Sequence, residues 1–234
     1  MSMRQLNVNL RSFDGTMNEN VDSAAPNLSV AIAASAWLTT VLNEYPSHSS
    51  SFDDRERVVI SLLKICREHR DAVVVMIHLG GRTSAPVVAR SAFEAYVLAL
   101  WASQCEDVER LKRVILGQEK KGQFPTLKKA IQDLKKAMHP LCTFIADLHP
   151  IYSALSDYAH GYGRQISRWI ELPEIVSTHS DIEMMELILF VDSIAVLAAI
   201  SQERVCEGDV ETGARLLRLV LSRSYFDVNG RHFQ

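Results

Sequence analysis

Apolar residues occupy every side of one stretch of the chain, Ala85–Ala102, which reads APVVARSAFEAYVLALWA. Thr83 or Ser84 is placed to cap a helix there, and Pro86 falls in the first turn, where a missing N–H costs nothing. A helix that is apolar all round belongs in the interior of a protein. The pattern therefore predicts a central buried helix at about residues 84–104, with the rest of the chain packed around it.

Apolar positions with helical spacing predict further helices on both sides of the central one. Ser180 and Glu183 have the spacing of a capping box and mark the start of a long helix. No stretch alternates with period two for long enough to predict a strand. The predicted helices cover residues of about 28–44, 52–79, 106–116, 126–138, 151–160, 180–206 and 210–222, and a short element begins at His139.

These elements predict an all-α protein, a single-domain multi-helix bundle at residues 27–225. Residues 1–26 are rich in Asn, Ser and Asp and lack a periodic apolar pattern, so we expect a mobile N-terminal tail. Residues 226–234 are expected to form a C-terminal tail. In the long second helix, the charge-rich sequence KICREHRD is expected to contact solvent.

The amino-acid composition is that of an ordinary globular protein and hardly alters the predicted fold. Of its 234 residues, 47% are hydrophobic and 23% charged, and the net charge of −3 argues against a generally basic nucleic-acid binder. The four cysteines are widely scattered, without a C-x-x-C pair, and are interpreted as reduced, mostly buried thiols. This indicates a cytoplasmic protein.

Two apolar runs have the composition of candidate targeting or membrane segments. Leu28–Leu42 is short and lacks a basic leader, so it does not resemble a signal peptide. Met184–Ile200 is interrupted by Glu186 and Asp192 and falls short of a clean membrane span. Both runs are predicted to be core helices, and no membrane association is expected.

Arg90 and Glu94 lie in the middle of the predicted central helix, 40° apart around its axis at about 100° per residue. Isolated buried charges cost several kcal/mol, so such groups pair or line a cavity. An Arg that precedes a Glu by four residues stabilises a helix less than the reverse order does. The Arg90–Glu94 pair is therefore not expected to serve mainly to stabilise the helix. Either the two form a buried ion pair that fixes packing, or they face a pocket. Glu94→Gln is expected to weaken the fold by a few kcal/mol.

A second polar stripe occurs in the sequence YSALSDYAHGYG, residues 152–163. Tyr152, Ser156 and His160 recur every four residues and share one side of a helix. From there they are placed to hydrogen-bond to Arg90 and Glu94, and a contact with Glu94 would raise the pKa of His160. The alternative is an interhelical hydrogen-bond network that binds no ligand.

The combination of R-S-x-x-E with Y-x-x-x-S-x-x-x-H some sixty residues later resembles a family of uncharacterised bacterial all-helical domains. The resemblance covers about residues 73–164 and implies an all-helical fold with a shared polar site, but no activity. The matching residues are Arg90, Ser91 and Glu94 on the first helix and Tyr152, Ser156 and His160 on the second.

Two enzymatic interpretations remain open for this cluster. A serine hydrolase would use Ser156 as nucleophile, His160 as base and Glu94 as orienting acid, but Ser156 lies within a helix and no G-x-S-x-G is present. A ribonuclease would resemble the helical HEPN domains, which use an Arg followed by a His four to six residues later. No Arg here has that spacing, although Arg90 and His160 can serve as phosphate clamp and acid/base from different helices.

Other candidate chemistry is weaker. His139, His149 and His160 are ten and eleven residues apart, and neither H-x-x-x-H nor E-x-x-H occurs, so no metal site is predicted. The turn at residues 80–84 lacks the G-K-[ST] ending of a P-loop, and no cofactor is expected. Lysine pairs at 120–121, 128–129 and 135–136 are suited to phosphates, but without interleaved aromatic residues a solvated face is favoured.

We therefore interpret the sequence as a helical binding or interaction protein with a buried or semi-buried polar cluster of Arg90, Glu94, Ser156 and His160, with Tyr152 alongside. A role in bacterial defence or stress follows from the resemblance alone. The alternative is a metal-independent nuclease or hydrolase that uses His160 and Arg90. The partner is predicted to be a small molecule, a protein or RNA, and a homodimer through helix packing is also considered.

Overall fold

The computed structural model describes residues 27–44, 52–115, 124–137, 145, 152–156 and 179–206, which contain helices and no strand. This confirms the predicted all-α class. The predictions for both tails, for His160 and for the last helix fall outside these residues. The helices are α1 (Leu28–Glu44), α2 (Asp54–His78), α3 (Ala85–Ser103), α4 (Val108–Ile115), α5 (Leu127–Lys136) and α6 (Asp181–Val205), and residues 152–156 are also helical.

Side-chain caps fix the N-termini of the two longest helices. The predicted capping box of α6 is confirmed, since Ser180 Oγ accepts from the Glu183 N–H at 3.2 Å and Glu183 Oε2 accepts from the Ser180 N–H at 2.8 Å. An equivalent box of Asp53 and Glu56 begins α2. These caps satisfy N–H groups that a helix start otherwise leaves unpaired.

A tight turn joins α2 to α3. Gly80 adopts a φ of 83°, a left-handed conformation that a residue with a Cβ rarely takes, and the N–H of Gly81 donates to the carbonyl of Met76 at 2.7 Å. Ser84 precedes α3 as predicted, but its side chain makes no capping hydrogen bond, and Pro86 lies in the first turn. This turn places α3 directly against α2.

Helix α3 supplies the middle of the main hydrophobic core, as the sequence predicted. Phe93 and Tyr96 are fully buried, and α2, α5 and α6 all pack against the helix. The Phe93 ring lies 6.0 Å from that of Phe190 on α6, in a tilted arrangement. Burial of this many large apolar side chains is the main source of stability for the fold.

One side of α3 is nevertheless only partly buried, which corrects the prediction of an all-round buried helix. The partly exposed positions recur at helical spacing of three and four residues, so they form a stripe along one side. Two of them carry the charges noted in the sequence, and this stripe is therefore where polar groups on α3 reach solvent. The stripe consists of Val87, Arg90, Ser91, Glu94 and Leu98.

Helix α1 packs against α6 through a second, smaller hydrophobic cluster. Leu38 and Leu42 of α1 contact Ala195 and Ala199 of α6, and all four side chains are at most 2% exposed. The small alanines let the two helices approach closely. The apolar run Met184–Ile200 is thus used largely inside this chain, and the homodimer stays a prediction.

Among the described helices, α6 alone has the length and hydropathy of a membrane span. Helix α6 is longer than the apolar run Met184–Ile200 identified in the sequence, and this extra length brings it to the length of a membrane span. However, 61% of its most apolar window is buried inside the fold, and it places Asp192 in the interior. These contacts are those of a core helix, as predicted.

Candidate binding site

The stripe on α3 and the helical segment 152–156 bring together three polar side chains. Arg90 Nε donates to Glu94 Oε1 at 3.0 Å, and the Tyr152 hydroxyl donates to the same oxygen at 2.8 Å. Arg90 Nη2 lies 3.3 Å from the Tyr152 hydroxyl. The predicted meeting of two segments sixty residues apart is therefore observed for Arg90, Glu94 and Tyr152, which we call the α3 cluster.

Aromatic packing positions Tyr152 in the α3 cluster. Its ring is 5.8 Å from that of Phe93 in a tilted arrangement, and the guanidinium carbon of Arg90 lies 5.4 Å from its centroid. Tyr152 is therefore held between the core and the charged pair, with its apolar body on Phe93 and its hydroxyl on Glu94. Because ring and hydroxyl are both held, Tyr152 has little freedom to turn away.

The α3 cluster is half-buried rather than sealed. The side chains of Arg90 and Glu94 are 21% and 33% exposed, so solvent reaches this part of the cluster, which the sequence predicted to be buried or semi-buried. Burial lowers the pKa of Arg90, but the Glu94 carboxylate and the Tyr152 hydroxyl outweigh it and leave the pKa above its ordinary value. The site therefore carries a permanent positive charge beside a carboxylate.

Among the described residues, only one of the two carboxylate oxygens of Glu94 has a hydrogen-bond partner. Oε1 accepts from both Arg90 and Tyr152, whereas Oε2 accepts no hydrogen bond from any residue that the structure describes. A carboxylate has about four acceptor sites, so half of this capacity is not used by the described part of the chain. The orientation of Glu94 is thus fixed by the protein while one oxygen remains for another donor.

Ser156 lies one turn beyond Tyr152 on the same side of the segment. Its Oγ is buried and makes no hydrogen bond to any described residue, so it is not part of the hydrogen-bonded α3 cluster. An unpaired buried hydroxyl is unusual and is a point where a ligand group or a water molecule would bind favourably. His160, the third member of the predicted stripe, lies outside the described residues.

A second polar cluster, which the sequence interpretation missed, joins α1, α2 and α6. Arg70 is 0% exposed and its Nε donates to Asp192 Oδ1 at 2.6 Å. Its remaining N–H groups donate to Ser35, Thr39 and Asp71. We call these five residues the Arg70 cluster. The expectation that this part of α2 contacts solvent is wrong for Arg70, although Lys64 and Glu68 are exposed.

The sequence did contain a signal for the burial of Arg70. Its position continues the apolar stripe of Leu63, Cys66, Val73 and Ile77, all of which face the core. Burial raises the pKa of Asp192, against the opposing effects of Arg70 and Ser35. Because every N–H of Arg70 faces a protein acceptor, this cluster holds three helices together and offers no site for a ligand.

The part of the chain that the structure describes contains no metal site, and its most deeply buried thiol, Cys66, is unreactive. Among the described residues, no group of three or more His, Cys, Asp or Glu side chains is placed to hold a metal ion. Cys66 is a free, fully buried thiol, and burial raises its pKa to about 12, so it is not a nucleophile at neutral pH. Cys105 and Cys206 are free and partly exposed, and Cys142 lies outside the described residues.

The fold and the α3 cluster define an all-α protein with a partly exposed polar cluster on its central helix. The chain belongs to DUF6988, a family of unknown function, whose match covers residues 63–215. The match includes α3, α4, α5, α6 and the larger part of α2, and hence Arg90, Glu94 and Tyr152, but not α1. It confirms the predicted membership of an uncharacterised domain family. No curated protein and no solved structure matches the chain.

Proposed function

We propose that this protein is a binding protein without catalytic activity, and that the α3 cluster is its binding site. The observation that carries the proposal is that the described residues donate hydrogen bonds to only one carboxylate oxygen of Glu94. Arg90 and Tyr152 hold its Oε1, while Oε2 has no described protein partner and the side chain is one-third exposed. A preorganised acceptor of this kind binds a donor at little entropic cost.

The electrostatics favour a neutral N–H donor as the ligand group. Arg90 compensates the charge of Glu94 at 3.0 Å, so the cluster has no net charge to attract a free ion. An amide N–H or a nucleobase amino group supplies a donor without adding charge. Val87 and Leu98 flank the polar pair on the same stripe and offer apolar contact on both sides. We therefore infer a ligand with an amide-like N–H next to apolar surface.

The geometry of the described residues argues against catalysis by this cluster. A serine nucleophile needs a base within hydrogen-bonding distance, and Ser156 Oγ makes no hydrogen bond to any described residue, whereas His160, the base of the hydrolase alternative, lies outside them. Arg90, which the nuclease alternative assigned to phosphate binding, is already engaged by Glu94 and Tyr152. The roles of His160 and of a bacterial defence or stress system stay predictions.

An NMR titration tests the proposal. The Arg90 Nε–H resonance is the reporter because this group donates to Glu94 Oε1. Acetamide, N-acetyl-leucine amide and adenosine serve as probes, and we expect at least one to shift this resonance and to lose its effect in Glu94→Gln. Glu109→Gln is the matched control, since Glu109 is 71% exposed on α4.

Two outcomes would overturn the proposal. A shift that persists unchanged in Glu94→Gln would place the ligand elsewhere. Cleavage of an RNA oligomer by the parent protein that disappears in His160→Ala would replace the binding protein with a nuclease. Urea denaturation of each variant shows whether a loss of binding reflects the site or the fold.

A further inference from the structure

Helix α5 presents a continuous positively charged surface. Four of its ten residues are lysines and one is an aspartate. At about 100° per residue, all four lysines lie within a sector of about 120° on the side away from Leu127, Ile131 and Leu134. Gln132 is the uncharged residue between them. This surface, the lysine face, consists of Lys128, Lys129, Gln132, Lys135 and Lys136, all of them exposed.

Most of the positive charge on the lysine face is not neutralised by the protein. Lys129 Nζ is paired with Asp133 Oδ1 at 2.6 Å. Lys128, Lys135 and Lys136 make no ion pair with any residue of the described ranges. By contrast, Lys112 on α4 is bound by both Asp54 and Glu109. Three lysines without an ion pair to a described residue therefore stand together on a protein whose net charge is −3, and Lys136 interacts with Asp133 only beyond ion-pair distance.

The lysine face is firmly attached to the core. Leu127, Ala130, Ile131 and Leu134 are buried on the opposite side of α5. Trp101 Nε1 of α3 donates to Asp133 Oδ2 at 3.4 Å, and the Thr126 side chain caps the helix by accepting from the Lys129 N–H. The lysines thus project from a fixed scaffold, with Lys128 and Lys135 about 10 Å apart along the axis.

We propose that the lysine face binds the phosphate backbone of a nucleic-acid duplex without reading its sequence. Protein–protein interfaces are depleted in lysine and rely on buried aromatic or arginine anchors, none of which is present on this face. Nucleic-acid backbones, in contrast, are contacted by lysines as point charges. The composition of the face therefore favours a phosphate partner over an acidic protein.

None of the five residues of the lysine face is aromatic, which favours a duplex over a single strand. Proteins that bind single strands stack the bases on aromatic side chains. Two aromatic residues near α5 in the described part of the chain, Phe124 and Trp101, pack on the hydrophobic core instead. The phosphate backbone of a duplex is contacted from outside and needs no aromatic stacking surface, which agrees with the composition of the lysine face.

Fluorescence anisotropy tests the proposal. The probes are labelled RNA and DNA duplexes of ~20 bp and mixed sequence, and binding is measured at KCl concentrations between about 50 and about 200 mM. With three unpaired lysines, the logarithm of the binding constant should fall with a slope of about −2.7 against the logarithm of salt. Lys136→Gln should reduce the slope by about 0.9 and weaken binding roughly tenfold at ~50 mM salt. The RNA and DNA arms show which duplex is preferred.

Two further variants make the test specific to this face. Lys64→Gln removes the same charge from the exposed side of α2 and should leave the affinity within about twofold. Asp133→Asn releases Lys129 while keeping an acceptor for Trp101, and should steepen the slope by about 0.9. An effect of Lys64→Gln equal to that of Lys136→Gln, or no change in Asp133→Asn, would overturn the assignment to α5.

Competing probes decide the class of partner. A polyglutamate peptide that displaces the duplex at equal charge concentration would make the partner an acidic peptide. Tighter binding of a single-stranded oligo-uridine than of either duplex would equally contradict the proposal. Urea denaturation of every variant confirms that the fold is retained.

Discussion

The guanidinium of Arg70 and the carboxylate of Asp192 meet in the interior of the protein, 122 positions apart in the chain, with Nε and Oδ1 at 2.6 Å. Their side chains are 1% and 5% exposed. Removing one partner of such a pair leaves the other as an uncompensated buried charge. The pair therefore fixes how α2 packs on α6.

Arg70→Met should lower the free energy of unfolding by about 3–5 kcal/mol at pH 7. The physical reason is the carboxylate of Asp192, whose pKa burial already raises and Arg70 restrains. Replacing both residues, in Arg70→Met/Asp192→Asn, should recover much of this loss because no buried charge remains. Urea denaturation measures both effects, and Arg82→Met, in a more exposed pair with Asp181, should cost about 1 kcal/mol or less.

The loss in Arg70→Met should also depend on pH. A carboxyl whose pKa is raised in the folded state contributes stability below its unfolded pKa, and that contribution disappears as pH rises through the folded pKa. Without Arg70 the pKa of Asp192 rises further, so the variant should be closest to the parent at acidic pH. An equal deficit at pH values of about 5 and about 7 would show that Asp192 is not the cause.

Adjacent threonines on α1 provide a matched pair of variants. Thr39 accepts from Arg70 and donates to Asp71 at 3.0 Å, whereas Thr40 is exposed. Thr39→Ala should cost about 1–3 kcal/mol because it leaves a buried N–H of Arg70 with fewer partners, and Thr40→Ala should stay within about 0.5 kcal/mol. Equal unfolding midpoints for the two variants would indicate that α1 does not rely on the Arg70 cluster.

The sequence predicted most of the helical framework because local signals determine it. Capping residues marked the start of α6, and apolar spacing located α2, α3 and α5 within two or three residues at each end. The pairing of Arg70 with Asp192 could not be predicted in this way, since it depends on how two distant helices pack. Arg70 sits at a core position of the α2 stripe, but the charged residues around it indicated solvent.

The part of the candidate site that depends on local spacing was predicted from the sequence, and the part that depends on packing was not. Spacing of four residues identified Arg90 with Glu94, and the meeting with Tyr152 was inferred from the polar stripe that contains it. Two features could not be predicted from local spacing. Ser156 Oγ makes no hydrogen bond to any described residue, and one side of α3 is partly exposed. Both depend on which neighbouring segments cover each position.

Cys66 should resist alkylation in the folded protein. Burial raises its pKa to about 12, so the thiolate is scarce in the folded state while the unfolded chain ionises near the ordinary value of 9.0. At alkaline pH iodoacetamide should label Cys105 and Cys206 first and Cys66 only after unfolding, as peptide mass spectrometry would show. Ionisation of Cys66 also favours the unfolded state, so stability should fall as pH rises from about 9 towards about 12.

Glu94→Gln should cost less than the buried-pair interpretation of the sequence predicted. Arg90 and Glu94 are 21% and 33% exposed, and solvent screens pairs of this kind, so we expect a loss of about 1 kcal/mol in urea denaturation. A loss of several kcal/mol would mean that the α3 cluster is sealed from solvent. That result would remove the open oxygen on which the binding proposal depends.

The hydrogen bond from the Tyr152 hydroxyl to Glu94 Oε1 is the contact that assembles the site from two distant segments, at 2.8 Å. A double-mutant cycle of Tyr152→Phe and Glu94→Gln, followed by urea denaturation, measures it directly. We predict a coupling free energy of about 0.5–1.5 kcal/mol between the two positions. Effects that add within about 0.3 kcal/mol would show that the two side chains do not interact and that no site exists at this position.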